Sequence, residues 1–191
     1  MTETNQPPRP TNAETISRRG FLRIGALAAA ALLVPKSSFA VPAADRRFLS
    51  LLNRHTHERL RVCYFSEGLY DLSALDEINH ILRDHRTGDV VEMDLELLDA
   101  LWELTRRLKN DGPFHVFSGY RSPETNQMLR ARTRGVARTS YHTVGKAVDV
   151  SLPGCRLSRL RTAAIQMGRG GVGFYPKPGF VHVDVGPVRT W

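Results

Sequence analysis

The spacing of apolar residues predicts a chain of short strands and amphipathic helices. Arg46 to Asn53 and Arg59 to Phe65 read as the two strands of a hairpin, with Arg54 to Glu58 as its turn. Between Leu72 and Arg83, Leu75, Ile78 and Leu82 recur at helical spacing behind Asp71 or Ser73 as cap. A second helix, Leu95 to Lys109, follows Asp94 and buries a stripe of Leu97, Leu98, Leu101, Leu104 and Leu108. Asn110-Asp-Gly-Pro113 ends it. Phe114 to Ser118 reads as a central strand, and Ser122 with Pro123 opens a third helix that Gly135 closes. Leu157 to Met167 is a fourth helix. Ala147 to Leu152 and Phe180 to Val185 alternate as strands do, with one apolar and one polar face. Antiparallel pairing of these two would set His182 beside Asp149.

That polar face carries the candidate chemistry. His142, Asp149 and His182 each offer a lone pair to a cation. Two imidazoles and one carboxylate suit tetrahedral Zn²⁺ with the fourth position left to water, which is the composition of a catalytic rather than a structural site. Gly145 lets the backbone turn between the loop of His142 and the strand of Asp149, and Ala147 leaves space beside the ion. Asp184 shares a strand face with His182, so it either serves as general base or orients His182 from behind. His115 is a weaker candidate for the base. Arg121 lies between a strand end and a helix start, where functional side chains are often displayed, and its fork suits a carboxylate or a developing oxyanion. His55-x-His57 has the spacing of a chelate, but no carboxylate accompanies it, so these read as exposed turn histidines. Gly168 to Tyr175 lacks the Gly-Lys-Ser/Thr ending of a phosphate loop. Its backbone therefore runs close to another strand or to an extended substrate.

The 191 residues suffice for one domain plus a short extension, and the formal net charge of +8 favours acidic partners. A carboxylate-rich cell wall and a nucleic acid both fit that sign. Arg130, Arg132, Arg134 and Arg138 either steer an anionic polymer or form a solvated face, and no aromatic interleaving points to nucleic acid. The address comes from Ser17-Arg18-Arg19-Gly-Phe21-Leu22-Arg23, which looks like a twin-arginine export signal. The apolar run from Ile24 to Val34 falls short of the ~20 residues of a bilayer span, and Ser38-Phe39-Ala40 suits cleavage after Ala40. The mature chain is then expected in the periplasm without a stable membrane span. There Cys63 and Cys155 have one possible pairing, which the sequence leaves open.

The string Ser140-x-His142-x-x-Gly145-x-Ala147-x-Asp149, followed by the strand histidine His182, resembles the LAS zinc peptidases. That group is named for lysostaphin, D-alanyl-D-alanine peptidases and the hedgehog N-terminal domain. Ser118 to Asn126, Gly170 to Tyr175, Phe180 to Asp184 and Arg189-Thr-Trp191 narrow the likeness to its murein endopeptidase K branch, over Arg46 to Trp191. The resemblance implies an α+β fold, with an antiparallel central sheet of about four strands flanked by helices. It divides the chain into a signal peptide, 1–40, and a zinc peptidase domain, 41–191. It implies Zn²⁺ on His142, Asp149 and His182, an Arg121 that faces substrate, and a Ser140 that holds polar substrate ends or merely caps its loop. The implied activity is hydrolysis of amide bonds in peptidoglycan cross-links, with peptidoglycan and the twin-arginine translocase as partners and no nucleic acid. A non-catalytic zinc-containing module that grips wall peptides, or a D,D-carboxypeptidase, are the alternatives. The usual base positions of the group, three and two residues before the last histidine, hold Gly179 and Phe180 here, which leaves Asp184.

Overall fold

The computed structural model describes residues 46–132 and 137–191. The expected signal peptide with its cleavage point at Ala40 lies outside those residues, as do Arg134 and Gly135. Among the described residues no helix is long and apolar enough to cross a membrane.

The hairpin forms as the pattern predicts: β1, Arg47–Asn53, pairs antiparallel with β2, Arg59–Ser66. A short β3, Leu69–Tyr70, extends it before helix α1, Leu72–Ile81, whose cap is Asp71 accepting from the Ala74 amide at 3.2 Å. Helix α2, Leu95–Leu108, starts at Asp94 and buries all five leucines of its stripe. Strand β4, Phe114–Ser118, leads through the Gly119–Arg121 loop into helix α3, Pro123–Arg132, capped by Ser122 on the Thr125 amide at 3.1 Å. One 3₁₀ turn, Tyr141–Val144, precedes β5, Ala147–Ser151. Helix α4, Leu157–Met167, then leads to β6, Gly171–Tyr175, β7, Phe180–Asp184, and β8, Arg189–Thr190.

The class is α+β, but the expectation of about four strands is corrected: all eight strands join one sheet, in the order β3-β2-β1-β4-β5-β7-β6-β8. Nor is it purely antiparallel, since β1–β4 and β6–β8 run parallel. Two causes hid the larger sheet. The hairpin docks edge-on to β4 rather than standing apart, and the two-residue strands β3 and β8 are too short to show a period. The glycine-rich segment proves to be strand β6, antiparallel to β7.

The sheet has two unlike faces. Leu49, Leu51, Phe114, Val116, Val148, Val150, Val181 and Val183 point into the core, where the leucines of α2 and Ile78 of α1 cover them. The opposite face of β5 and β7 carries Asp149 directly across from His182, and Ala147 across from Asp184. A register shift in β4 between Val116 and Ser118 brings Ser118 opposite Asp149, so a bulge aims the end of β4 at this face. His115 lies on the same face but pairs with Ser151. Cys63 and Cys155 are free, and their thiols donate to carbonyls of Phe65 and Arg156. His55 and His57 are exposed, and His55 stacks on His85 at 3.7 Å rather than chelating with His57.

One buried polar contact ties the loop after α1 to the start of α3. Asp84, 1% exposed, accepts from the Ser122 amide at 2.8 Å and the Arg86 amide at 2.9 Å. Burial alone would raise its carboxyl; donation from Thr125 and from the Arg86 and Ser122 amides outweighs burial and brings it down to about 2. An unfolded Asp titrates near ~3.9, so this contribution is complete above that pH and is lost as pH falls through about 2. Asp84→Asn should therefore destabilise the fold at pH 7 by about 1–3 kcal/mol. In thermal melts the gap to wild type should close toward pH 2, and a gap of constant size would refute this assignment.

Candidate metal centre and its cleft

Three segments distant in sequence deliver the candidate ligands to one point. The 3₁₀ turn presents His142, β5 presents Asp149 and β7 presents His182, and all three are buried. The ligand atoms lie within 4.8 Å of one another, and among the described residues no other such group of three occurs. His182 Nδ1 is 2.8 Å from Asp149 Oδ1, His142 Nε2 is 3.3 Å from the same oxygen, and the two nitrogens are 3.1 Å apart. The edge of a tetrahedron with bonds of ~2.0–2.1 Å is about 3.3–3.4 Å, close to these separations.

The outward nitrogens show why a cation belongs there. His142 Nδ1 donates to the Gly119 carbonyl at 2.7 Å, and His182 Nε2 donates to Asp184 Oδ2 at 3.0 Å. With a cation at the centre, those partners would hold the ring protons on the outward nitrogens and leave His142 Nε2 and His182 Nδ1 as lone pairs. Two nitrogen lone pairs and a carboxylate oxygen then converge, an arrangement that repels itself unless a positive charge sits between them. A proton meets part of that need. Burial disfavours charge on His182, but the Asp149 and Asp184 carboxylates outweigh it and raise its pKa. A divalent metal meets the need fully, in exchange for that proton. Burial would likewise raise the Asp149 carboxyl, and the two imidazoles hold it well below the ordinary carboxylate range.

The backbone around the ligands is fixed tightly. Ser140 caps the 3₁₀ turn, its hydroxyl accepting from the His142 amide at 3.3 Å, and the Arg121 amide donates to the His142 carbonyl at 3.1 Å. Gly145 ends the turn at φ +68°, and a side chain there would strike the Glu92 carbonyl, so both its conformation and its space require glycine.

The group forms the floor of a cleft of about 920 Å³. Arg121, Ser140, Tyr141, Tyr175, Phe180 and Trp191 are among its walls, and His115 is not. The Arg121 side chain is 12% exposed, with Nη2 at 3.5 Å from Asp149 Oδ2 and 3.3 Å from Ser118 Oγ. Its Nε is buried without a partner, and burial lowers its pKa against the opposing pull of Asp149. Asp184 does not line the cleft. Its Oδ1 accepts from the Gly171 and Gly186 amides, each at 2.9 Å, and Arg189 grips both oxygens. Among the described residues of the cleft no carboxylate or imidazole stands outside the ligand group. Arg130, Arg132 and Arg138 are exposed and make no ion pair with a described residue.

Sequence reasoning missed the Gly119 carbonyl, Tyr141 and the grip of Arg189 on Asp184. Gly119, Tyr141 and Arg189 each fall in a segment that carried the resemblance, but nothing in their spacing pointed to these contacts. The tight backbone of β6 now has a cause. A side chain at Gly171 would meet Asp184 Oδ2 at 2.5 Å, and one at Gly173 would meet the Trp191 ring at 2.7 Å.

Two imidazoles and a carboxylate that converge on the floor of an open cleft have the donor set of a catalytic metal centre, and the family places the chain among the metallopeptidases. The chain belongs to the family described as peptidoglycan L,D-endopeptidase MepK, whose model matches residues 41–191. It is 43% identical over 176 residues to the peptidoglycan L,D-endopeptidase MepK of Escherichia coli strain K12, across 92% of this chain and 97% of that protein. The protein of the same name from Shigella flexneri matches equally. The probable peptidoglycan L,D-endopeptidase MepK of Haemophilus influenzae is 36% identical over 177 residues, across 92% of this chain and 95% of its own.

If the three side chains hold an ion, a divalent metal should stabilise chelator-stripped protein. At a hundredfold excess over Kd the gain is about 2.7 kcal/mol, several degrees in melting temperature. The increment should vanish in His142→Ala and Asp149→Ala, and its survival in either would remove that residue from the ligand set.

Proposed function

We propose that this chain is a zinc metallopeptidase that hydrolyses an L,D-amide bond in peptidoglycan peptide cross-links, in the course of cell-wall remodelling. The observation that carries the reading is the convergence of His142 Nε2, Asp149 Oδ1 and His182 Nδ1 at the floor of an open cleft, in a chain of this family. Two neutral imidazoles and one carboxylate suit tetrahedral zinc with one position left open; the same donor set also takes Fe(II), and the peptidase family favours zinc. Zinc held there supplies Lewis acidity to a substrate carbonyl and acidifies water toward neutral pKa.

The remaining work falls to the chain itself. Arg121 presents a buried guanidinium at the cleft edge, where it holds a substrate carboxylate or a developing oxyanion. Its unpartnered Nε marks donor capacity that the fold does not use. The Gly119 carbonyl and Asp184 hold the two imidazoles in the metal-binding tautomer. Of the two roles open to Asp184, orienting His182 is the one its geometry supports, because its oxygens face amides and Arg189 rather than the cleft. Ser140 shapes the turn of His142 and also reaches the cleft wall, where it can hold a polar substrate group. The family description favours endopeptidase action over carboxypeptidase trimming.

Action on peptidoglycan requires a position outside the cytoplasm. The twin-arginine motif at Arg18-Arg19 supplies the route: residues 1–40 act as an export signal read by the twin-arginine translocase, and cleavage near Ala40 releases the mature chain to the periplasm.

Purified muropeptides are the test substrate, with products resolved by mass. Cross-linked species should be cut, and the cut should stop with chelator and in His182→Ala. Arg121→Ala should lower kcat/KM by about 10²–10³, the scale of losing one oxyanion donor. Hydrolysis that persists under chelator and in His182→Ala would sink the reading. Wall binding with metal present and no turnover would replace it by the non-catalytic module.

A further inference from the structure

The Asp184 carboxylate is fully buried, yet it is a full negative charge only two residues from a ligand. A buried carboxylate without a cation is strongly destabilising. Among the described residues the permanent cation paired with it is Arg189, which supplies two parallel donors, Nη1 to Oδ1 at 3.2 Å and Nη2 to Oδ2 at 2.7 Å. Burial would raise this carboxyl, and its donors, His182 first, the Gly186 and Gly171 amides next and then Arg189, hold it well below its ordinary range.

Arg189 is itself fixed. Its Nη1 donates to the Pro187 carbonyl at 2.9 Å. Its guanidinium lies over the Tyr141 ring at 5.1 Å and the Trp191 ring at 5.0 Å. Tyr141 precedes the ligand His142, and the Trp191 ring stands 5.3 Å from that of His182. Pairing of β8 with β6 sets Arg189 opposite Gly171. A side chain at Gly171 would come within 2.5 Å of Asp184 Oδ2 and 2.7 Å of Arg189 Nη1. The slot that holds the pair is thus available only beside glycine.

We propose that Arg189 is a positioning residue of the metal centre: its bidentate grip fixes the Asp184 carboxylate, and through Asp184 it aims the Nδ1 lone pair of His182 at the ion. The proposal rests on the metal-centre reading of His142, Asp149 and His182. Without Arg189 the carboxylate can rotate, and Oδ2 no longer holds the Nε2–H of His182 along a fixed line. A lysine can restore the charge but not the two parallel donors. Arg189 therefore acts on the ligand rather than on the substrate, although it borders the cleft.

The test is metal affinity, measured on the mature chain by chelator competition, with Zn²⁺ as the probe. Loss of a partner behind a ligating histidine typically weakens metal binding by about 10–100-fold. That loss is expected in Arg189→Ala, with partial recovery in Arg189→Lys. Gly171→Ala, which crowds the same pair from the other side, should weaken binding in the same direction. The visible absorption of the Co²⁺-loaded protein should shift in Arg189→Ala, as the His182 ligand loses its fixed direction. Should Arg189→Ala fail to fold, Arg189→Lys and Gly171→Ala carry the measurement. Affinity in Arg189→Ala within about twofold of wild type, or Arg189→Lys indistinguishable from wild type, overturns the proposal. Wild-type protein that binds no divalent ion would instead sink the metal-centre reading on which it rests.

Discussion

The register between β5 and β7 is the constraint on which the rest depends. Val148 faces Val183 and Val150 faces Val181 on the core side, so Asp149 must face His182 on the other. A slip of β7 by one residue would turn the buried Val181 and Val183 outward and drive His182 into the hydrocarbon core. Full burial of each valine is worth about 1.5–3 kcal/mol, so the hydrophobic effect on one face sets ligand geometry on the other. The site has no need of a separate device to bring these two side chains together.

Charge is then layered outward from the candidate ion. Asp149 and the two imidazoles surround it; Asp184 stands behind His182, and Arg121 beside Asp149. Arg189 in turn neutralises Asp184. Each charge in this layer has a partner of opposite sign within hydrogen-bonding reach or slightly beyond, as a medium of low dielectric requires. Glycines make this stacking possible by letting backbone approach where a Cβ would collide. Gly171 admits the Asp184–Arg189 pair, and Gly119 brings its carbonyl under His142 because it packs directly on the Leu82 carbonyl.

Much of the scaffold was legible because strong periodicity and end signals coincided. The α2 leucine stripe, the Asp94 cap and the Ser122-Pro123 start each rest on interactions within a few residues of one another. The number of strands was not legible. Strand β8 has two residues and exists only because β6 offers it a partner, and β6 itself showed no strand pattern, since Gly171 and Gly173 carry no side chain to show a period. Asp84 opens the polar stretch Asp84 to Asp89, yet it is buried, because the α3 start, 38 positions away, has a free amide to satisfy.

The sequence by itself determined the candidate ligand types, their strand alternation and the family likeness, because those depend on residue identity and short spacing. Which nitrogen of each histidine turns toward Asp149 was decided only in three dimensions, by the Gly119 carbonyl 23 positions from His142 and by Asp184. The position of Asp184 behind His182 was likewise a tertiary outcome. Two residues on one strand face admit either role. Amides of Gly171 and Gly186 and the guanidinium of Arg189 fill its oxygens from other parts of the sheet, which favours the orienting role.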